Sequence, residues 1–251
     1  TLYLPYWDST LESSLPRPAD SIMFTDYFQG TTSGQDVVTG PFAGWRTIEG
    51  RPNIRRAVGA QGGGFKESEI QFVLQQTSID QVLAFSAPQR GCPVHTDYNC
   101  LEYTHGNVHI FVGGDMYDTE TAGNDPLFYM HHSFVDFIWE MWRQSRQTRQ
   151  AREQEYPLDN QACASSQHFG AASLSPFGPF RNNDGLSNAY TDNMYEFAPR
   201  PSCPSCGGSK WLFCDQSHGA ARCAAKVKIG GVCTGFSRGE AVCFGGVCQN
   251  G

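Results

Sequence analysis

An apolar pattern with helical spacing, placed directly after an Asp-Pro pair, most constrains how this chain can fold. Apolar side chains occupy positions 127, 128, 130, 134, 135, 138, 141 and 142, which is close to the 3.6-residue period of an α-helix. Asp125 is a favoured N-cap residue, and Pro126 suits the first helical position. The pattern therefore predicts a buried helix that begins at Pro126 and carries His131 and His132. We expect the polar residues 143–155 to continue this helix toward solvent.

Other helical patterns are shorter, and much of the chain has none. Residues 68–85 contain two helical patterns, and residues 105–112 contain an apolar stretch that Gly113 and Gly114 are expected to end. Residues 1–65 are rich in Gly, Pro, Ser and Thr, which predicts long loops wrapped on a core. The fold class that follows is mainly α with long loops.

The composition changes near residue 199. A length of 251 residues suits one core domain and something smaller. The segment APRPSCPSC, at residues 198–206, has the Pro-rich composition of a linker. We therefore predict a core domain at residues 1–198 and a small Cys-rich module at residues 199–251, which would depend on crosslinks for its stability.

Ten cysteines are present, and seven of them fall in the last 49 residues. Such density in a Gly-rich tail predicts a disulfide framework and a secreted or extracellular location. We expect disulfides at Cys92, Cys100, Cys163, Cys203, Cys206, Cys214, Cys223, Cys233, Cys243 and Cys248. Cys92 and Cys100 are expected to close a small loop, and Cys163 would then bond to a tail cysteine. A zinc module is the alternative, because Cys203 and Cys206 have ligand spacing, but a matching second pair is missing.

Charge and hydropathy argue against several classes of partner. A net charge of −7 and a pI near 5.4 disfavour nucleic acid or an anionic membrane as the main partner. No run of about 20 apolar residues exists, so no transmembrane helix is expected. The first residues, TLYLPYWDS, contain neither an initiator Met nor a signal peptide, which suggests a processed or truncated chain.

Four histidines form two close pairs. His105 and His109 are four residues apart, so on a helix their rings share one face and can bind one ion. Adjacent helical residues point about 100° apart, so only one of His131 and His132 can join them. Ligation by imidazoles alone is compatible with copper, and Asp136 is a candidate acceptor for the second ring N–H of a ligand. Each pair taken alone is also explained as a surface, capping or core feature.

The combined motif resembles a known family. HGNVHIFVGGDM, at residues 105–116, and NDPLFYMHHSFVD, at residues 124–136, are similar to the second copper-binding segment of tyrosinases, catechol oxidases and molluscan haemocyanins, which are type 3 copper proteins. LPYWD at residues 4–8, GPFAGW at residues 40–45 and YEF at residues 195–197 resemble flanking family segments. The resemblance covers residues 4–197, and the cysteine tail is outside it.

The resemblance implies a role for each site residue. His105, His109 and His132 would ligate one copper ion, the second of a binuclear pair. His131 would be a neighbour, and Phe128 would pack against the ligand imidazoles. The implied fold is a helical-bundle core with long loops, and the implied activity is oxidation of o-diphenols to o-quinones with dioxygen, with monophenol hydroxylation left open.

The family's first copper site is expected outside this chain. Its three histidines precede the PYWD segment in the family, and His95, His168 and His218 lack suitable spacing to replace them. We therefore expect the C-terminal piece of an oxidase that is inactive without a missing N-terminal segment or companion chain. A non-catalytic secreted matrix protein and an oxygen carrier are the alternatives.

Two further features bear on the substrate. Many monophenol hydroxylases of the family have Asn directly after the first histidine of this segment, where this chain has Gly106 and places Asn107 one position later. We therefore expect diphenol oxidation to exceed monophenol hydroxylation. The tail is interpreted either as a disulfide-stabilised appendage or as a lid over the copper pocket.

Overall fold

Four α-helices dominate the regular structure. The computed structural model describes residues 2–83, 89–95 and 97–249. Within this part the helices are α1 (Glu67–Gln75), α2 (Leu101–Val112), α3 (Pro126–Arg146) and α4 (Arg149–Gln154). None of the helices in these ranges combines the length and the hydropathy needed to span a membrane. The helical content agrees with the predicted mainly-α class.

The strands of the described residues are short and form two-stranded sheets. They are β1 (Leu2–Tyr3), β2 (Thr32–Ser33), β3 (Asp36–Val37), β4 (Tyr195–Glu196), β5 (Leu212–Asp215) and β6 (Arg222–Ala225). β1 and β4 pair in parallel, whereas β2 with β3 and β5 with β6 are antiparallel. Single helical turns lie at Ser9–Glu12, Pro18–Asp20, Ile22–Phe24, Ile79–Gln81, Gly114–Tyr117, Ala122–Asn124, Ser166–His168, Asn182–Leu186, Tyr190–Met194 and Cys206–Gly208. Residues 2–65 are accordingly loops, turns and two-residue strands, as predicted for this part of the chain.

Helix α3 begins where the Asp-Pro pair predicts and ends earlier than expected. Asp125 Oδ1 accepts a hydrogen bond of 2.9 Å from Leu127 N, which satisfies a backbone donor that no helical carbonyl can reach. The expected continuation through the polar residues is wrong, because α3 ends at Arg146. Thr148 then caps α4 by accepting a hydrogen bond of 3.1 Å from Ala151 N.

Helix α2 is longer than its apolar stretch. It begins at Leu101, so His105 and His109 both lie within it. Gly113 and Gly114 end the helix with φ values of +64° and +58°, which favour glycine. Of the two patterns in residues 68–85, the first is α1, and the second is one turn at Ile79–Gln81. The end of that second pattern, residues 84–85, lies outside the described residues.

Contacts divide the chain into two compact units. The first comprises Thr1–Pro5, Glu67–Gly106 and Ser133–Ala198. In it, Trp142 Nε1 donates to Gln76 O (2.9 Å) and Arg146 Nε donates to Leu74 O (2.8 Å). These bonds hold the end of α1 against α3.

The second unit comprises Tyr6–Lys66, Asn107–His132 and Pro199–Gly251. Its tail is hydrogen-bonded to its loops: Ile22 N donates to Lys226 O, and Lys228 N donates to Asp20 O, both at 2.8 Å. An apolar core joins the same segments and comprises Leu15, Phe213, Ala224, Val227, Cys233 and Val242. One unit boundary falls after Ala198, but the tail groups with the loops, so the division at residues 198/199 into separate domains stays a prediction.

Four disulfides are present in the described chain. They pair Cys92 with Cys163, Cys203 with Cys214, Cys206 with Cys223, and Cys233 with Cys248. The disulfide interpretation of the tail is thus supported over the zinc module.

The pairing expected in the core domain is wrong. Gln89 N donates to Cys163 O (2.9 Å), which brings the segment before Cys92 alongside Cys163, and the two cysteine Cα atoms are 4.5 Å apart. Cys100 instead lies directly before α2, where its carbonyl accepts from Thr104 N. Cys100 and Cys243 take no part in the four bonds, so the expectation of ten bridged cysteines is corrected to eight.

Candidate metal centre

Three histidines bring ring nitrogens together. The rings of His109 on α2 and His132 on α3 have centroids 5.1 Å apart at an interplanar angle of 63°. His105 lies one turn before His109 on α2, so helical spacing places both on the same face. One ring nitrogen of each histidine lies within 4.8 Å of the others. This group could hold a metal ion.

Backbone carbonyls orient all three rings. The Nδ1 atom of His105 lies 2.6 Å from Glu102 O, that of His109 lies 2.9 Å from Met116 O, and that of His132 lies 2.9 Å from Phe128 O. A carbonyl oxygen only accepts, so each Nδ1 must carry the proton and donate. The lone pair of each neutral imidazole is then on Nε2, the nitrogen left for a metal.

The donor set fits copper. Two nitrogens bound to one ion at about 2.0–2.1 Å are at most about 4.2 Å apart, so the observed separation of up to 4.8 Å needs only small ring movements. The group contains imidazoles without a thiolate or a carboxylate. Imidazole suits copper, zinc, iron and nickel, and it is a poor match for magnesium or calcium.

Phe128 and His131 lie beside the group. The Phe128 ring lies 3.9 Å from the His132 ring and 5.8 Å from the His109 ring, centroid to centroid. His131 is fully buried, with its ring 5.0 Å from that of His109, and it is not one of the three. The Trp7 ring covers another side of His131 at 6.4 Å. Both neighbours restrict how far the ligand rings can turn.

Asp136, which the sequence suggested as an acceptor for a ligand ring N–H, has a hydrogen-bond partner on another segment. Its Oδ2 accepts a hydrogen bond of 2.7 Å from the Tyr195 hydroxyl, and the histidine Nδ1 protons go to backbone carbonyls instead. Burial raises the pKa of the Asp136 carboxyl, and the hydrogen bond from Tyr195 opposes that shift. Burial, with the nearby Asp136, also raises the pKa of the Tyr195 phenol. The pair ties α3 to the YEF segment.

A loop contact that the sequence does not reveal supports His109. Met116, the acceptor of its Nδ1 proton, follows the Gly113-Gly114 turn. Asp115 anchors this turn, since its Oδ2 accepts from Arg55 N (2.7 Å) and its Oδ1 forms an ion pair with Arg51. The only local signal is the Gly-Gly-Asp triplet itself, which predicts a turn but not its partner.

The remaining histidines lie elsewhere. Among the described residues, the potential metal-binding groups of three contain no histidine besides those above. His218 Nδ1 lies 3.1 Å from Asp215 Oδ2 in the tail. The cysteines of one further group, Cys203, Cys206 and Cys223, are all engaged in disulfides.

Comparison with known proteins agrees with this geometry. The family model described as "Common central domain of tyrosinase" matches residues 1–145, which is more than half of the chain. The chain belongs to the tyrosinase family. This membership implies copper as the metal of the histidine group.

Relatives within the tyrosinase family include animal and bacterial proteins. The chain is 59% identical to the tyrosinase-like protein tyr-3 of Caenorhabditis elegans over 254 residues, which is 100% of this chain and 36% of that protein. It is 32% identical to tyrosinase-like protein 1 of Margaritifera margaritifera, over 84% of this chain and 42% of the relative. A tyrosinase of Streptomyces antibioticus is 32% identical over 54% of this chain and 52% of its own length. The chain thus spans between about a third and a half of the length of these relatives.

Proposed function

We propose that this chain supplies the second copper site of a tyrosinase-type oxidase that converts o-diphenols to o-quinones with dioxygen. The convergence of His105, His109 and His132, with each Nδ1 bound to a carbonyl, carries the proposal. Membership of the tyrosinase family supports copper as the ion. A pair of copper ions would supply the electron transfer between phenol and dioxygen, which one ion per chain does not provide.

The first copper site is proposed to lie on a preceding segment or a companion chain. The described residues offer one group of three histidines, and the relatives are about two to three times as long as the part that this chain matches. The four disulfides support a secreted or extracellular setting.

Residues of this chain orient the histidine rings for copper and shape the approach of the substrate. The carbonyls of residues 102, 116 and 128 fix the ring planes and keep Nε2 deprotonated, and this preorganisation favours binding. Phe128 blocks one face of His132 and contributes an apolar wall for an aromatic substrate. We propose that the phenol approaches this apolar wall.

Copper analysis tests the metal site directly. The purified chain, loaded with cuprous or cupric ion and freed of excess, is expected to hold one copper by elemental analysis and native mass spectrometry. His132→Ala should lower copper content several-fold, whereas His168→Ala, remote in sequence and outside the group, should leave it unchanged. Copper bound equally by the wild type and His132→Ala would contradict the site.

Activity tests the rest of the proposal. The chain alone should be inactive toward o-diphenols, and activity should appear when it is co-expressed with the preceding segment of a longer relative. Copper binding without activity in that complex would favour a structural protein or an oxygen carrier, and reversible oxygen uptake separates these two.

Gly106 offers a test of substrate preference. A Cβ at Gly106 meets no atom within 4 Å, so a side chain can begin at this position of α2 without a clash at its Cβ. In the active complex, Gly106→Asn is expected to raise the ratio of monophenol to diphenol turnover, and Gly106→Ala serves as the matched control. A wild-type ratio already as high as that of the Asn variant would refute the expected preference for diphenols.

A further inference from the structure

Three sulfur atoms of the tail lie close enough to exchange bonds. Cys233 and Cys248 form a disulfide, and Cys243 lies outside the four disulfides of the described chain. The Sγ atoms of all three lie within 4.8 Å of one another. A thiol therefore lies close to a disulfide, and such proximity is one requirement of thiol–disulfide exchange.

The backbone holds Cys243 in this position. Val227 N donates to Val242 O and Phe244 N donates to Val227 O, both at 2.9 Å, so the residues on either side of Cys243 are tied to a fully buried valine. Cys243 packs against the apolar tail core that contains Cys233. Its distance to the disulfide is thus fixed by the fold rather than by a flexible end.

The surroundings of Cys248 suit a leaving thiol. Its Sγ lies 3.0 Å from Cys233 O, so a released Cys248 thiol has an acceptor ready for its S–H. The preceding Gly245 has φ +72° and, like Gly246, is exposed. Val247, next to Cys248, is 82% exposed, whereas Cys233 is buried.

We propose that the tail interconverts between two disulfide pairings, Cys233–Cys248 and Cys233–Cys243, and so moves the free thiol from Cys243 to Cys248. The Cys243 thiolate attacks Sγ of Cys233, a bond forms between these sulfurs, and the Cys233–Cys248 bond breaks. Its electron pair leaves with Cys248, which takes up the proton that Cys243 lost. The exchange needs no oxidant or reductant, and the product thiol can exchange in the same way with a disulfide outside the chain.

Alkylation mapping tests the exchange in the whole chain. The protein is treated with N-ethylmaleimide at pH 8 without reductant, quenched with acid at times from minutes to hours, and mapped by peptide mass spectrometry. We expect label on Cys248 as well as Cys243, with one tail label per chain, and a Cys233–Cys243 peptide in the same amount as labelled Cys248. Label confined to Cys243 throughout, with Cys233–Cys248 intact, would overturn the proposal.

Two cysteine variants test the exchange separately, so the conclusion does not depend on the folding of either variant alone. Cys243→Ser should remove all tail label and fix the Cys233–Cys248 bond. Cys248→Ser should form the Cys233–Cys243 disulfide, and two labelled thiols in that variant would contradict the proposal. Cys203, Cys206 and Cys223 are the internal control, because their sulfurs are equally close but all are engaged in disulfides and should stay unlabelled.

Discussion

At the scale of single residues, Glu12 is a carboxyl group held inside the protein. It is 2% exposed, and its oxygens accept from Trp7 Nε1 (3.1 Å) and Ser21 Oγ (3.0 Å). Burial, chiefly, raises the pKa of Glu12 from 4.5 to about 8, although both hydrogen bonds oppose the shift. The group is therefore largely protonated in the folded protein at neutral pH.

Glu12→Gln is expected to change the pH dependence of stability. Between about pH 4.5 and pH 8 the unfolded chain has lost the proton that the folded chain keeps, so stability falls as the pH rises through this window. A neutral amide removes that dependence and should raise the free energy of unfolding at pH 8 by on the order of a few kcal/mol. Urea unfolding at pH 5.5 and pH 8 measures the effect.

The exposed Glu120 supplies the control for this variant. Glu120→Gln should leave the difference between the two pH values as it is in the wild type, because its side chain stays in solvent. An equal pH dependence in wild type and Glu12→Gln would show that the Glu12 carboxyl is ionised in the fold.

At the scale of elements, the turn after α2 carries the support of His109. Gly114 lies against the backbone of Arg55. A Cβ at Gly114 would be 2.1 Å from Arg55 O, and the φ of Gly114 is +58°. Both the contact and the dihedral angle exclude a side chain without a shift of the backbone. The same shift would carry Met116 O away from His109 Nδ1.

Gly114→Ala should therefore weaken both the fold and the metal site. We expect a loss of a few kcal/mol of stability, since strain and a backbone clash act together. Gly185→Ala, where a Cβ meets open space, is the matched control and should stay within about 0.5 kcal/mol. Thermal unfolding and copper titration are the measurements, and equal melting temperatures for the two variants would contradict the argument.

Elements also show what the sequence could predict. The start of α3 follows from Asp125 and Pro126 because capping is local chemistry, and the two histidine spacings follow from the helical period. The sequence does not predict the break between α3 and α4. Residues 143–155 are mostly polar, and a single Thr at position 148 is too weak a signal to identify a new N-cap within such a run. The sequence does not predict that Met116 O accepts from His109. The position of this carbonyl depends on the hydrogen bond between Arg55 N and Asp115, which are sixty residues apart along the chain.

At the scale of the whole molecule, crosslinks join segments that are distant in sequence. Cys92 and Cys163 are 71 residues apart, whereas Cys203 and Cys214 are 11 apart. This long-range pairing was not predictable from spacing, because tertiary structure chooses among many possible connectivities. A bond that closes a longer loop restricts the unfolded chain more.

Removing the longer crosslink is expected to cost more stability than removing the shorter one. The double substitution Cys92→Ser with Cys163→Ser should lower the free energy of unfolding by up to about 4 kcal/mol, and Cys203→Ser with Cys214→Ser by up to about 3 kcal/mol. Denaturant unfolding of each pair against the wild type gives the comparison. A larger loss from the tail pair would show that local packing outweighs chain entropy here.

The use of main-chain oxygens to fix the histidines has a consequence for how this centre tolerates sequence drift. No point mutation deletes a peptide carbonyl, so replacing the side chains of Glu102 or Met116 leaves the Nδ1 acceptors of His105 and His109 in place. The site is instead sensitive to substitutions that change the path of the backbone, above all at Gly113 and Gly114 after α2. The centre is therefore robust to changes of side-chain identity at its rim and fragile to changes at residues that never approach the ion.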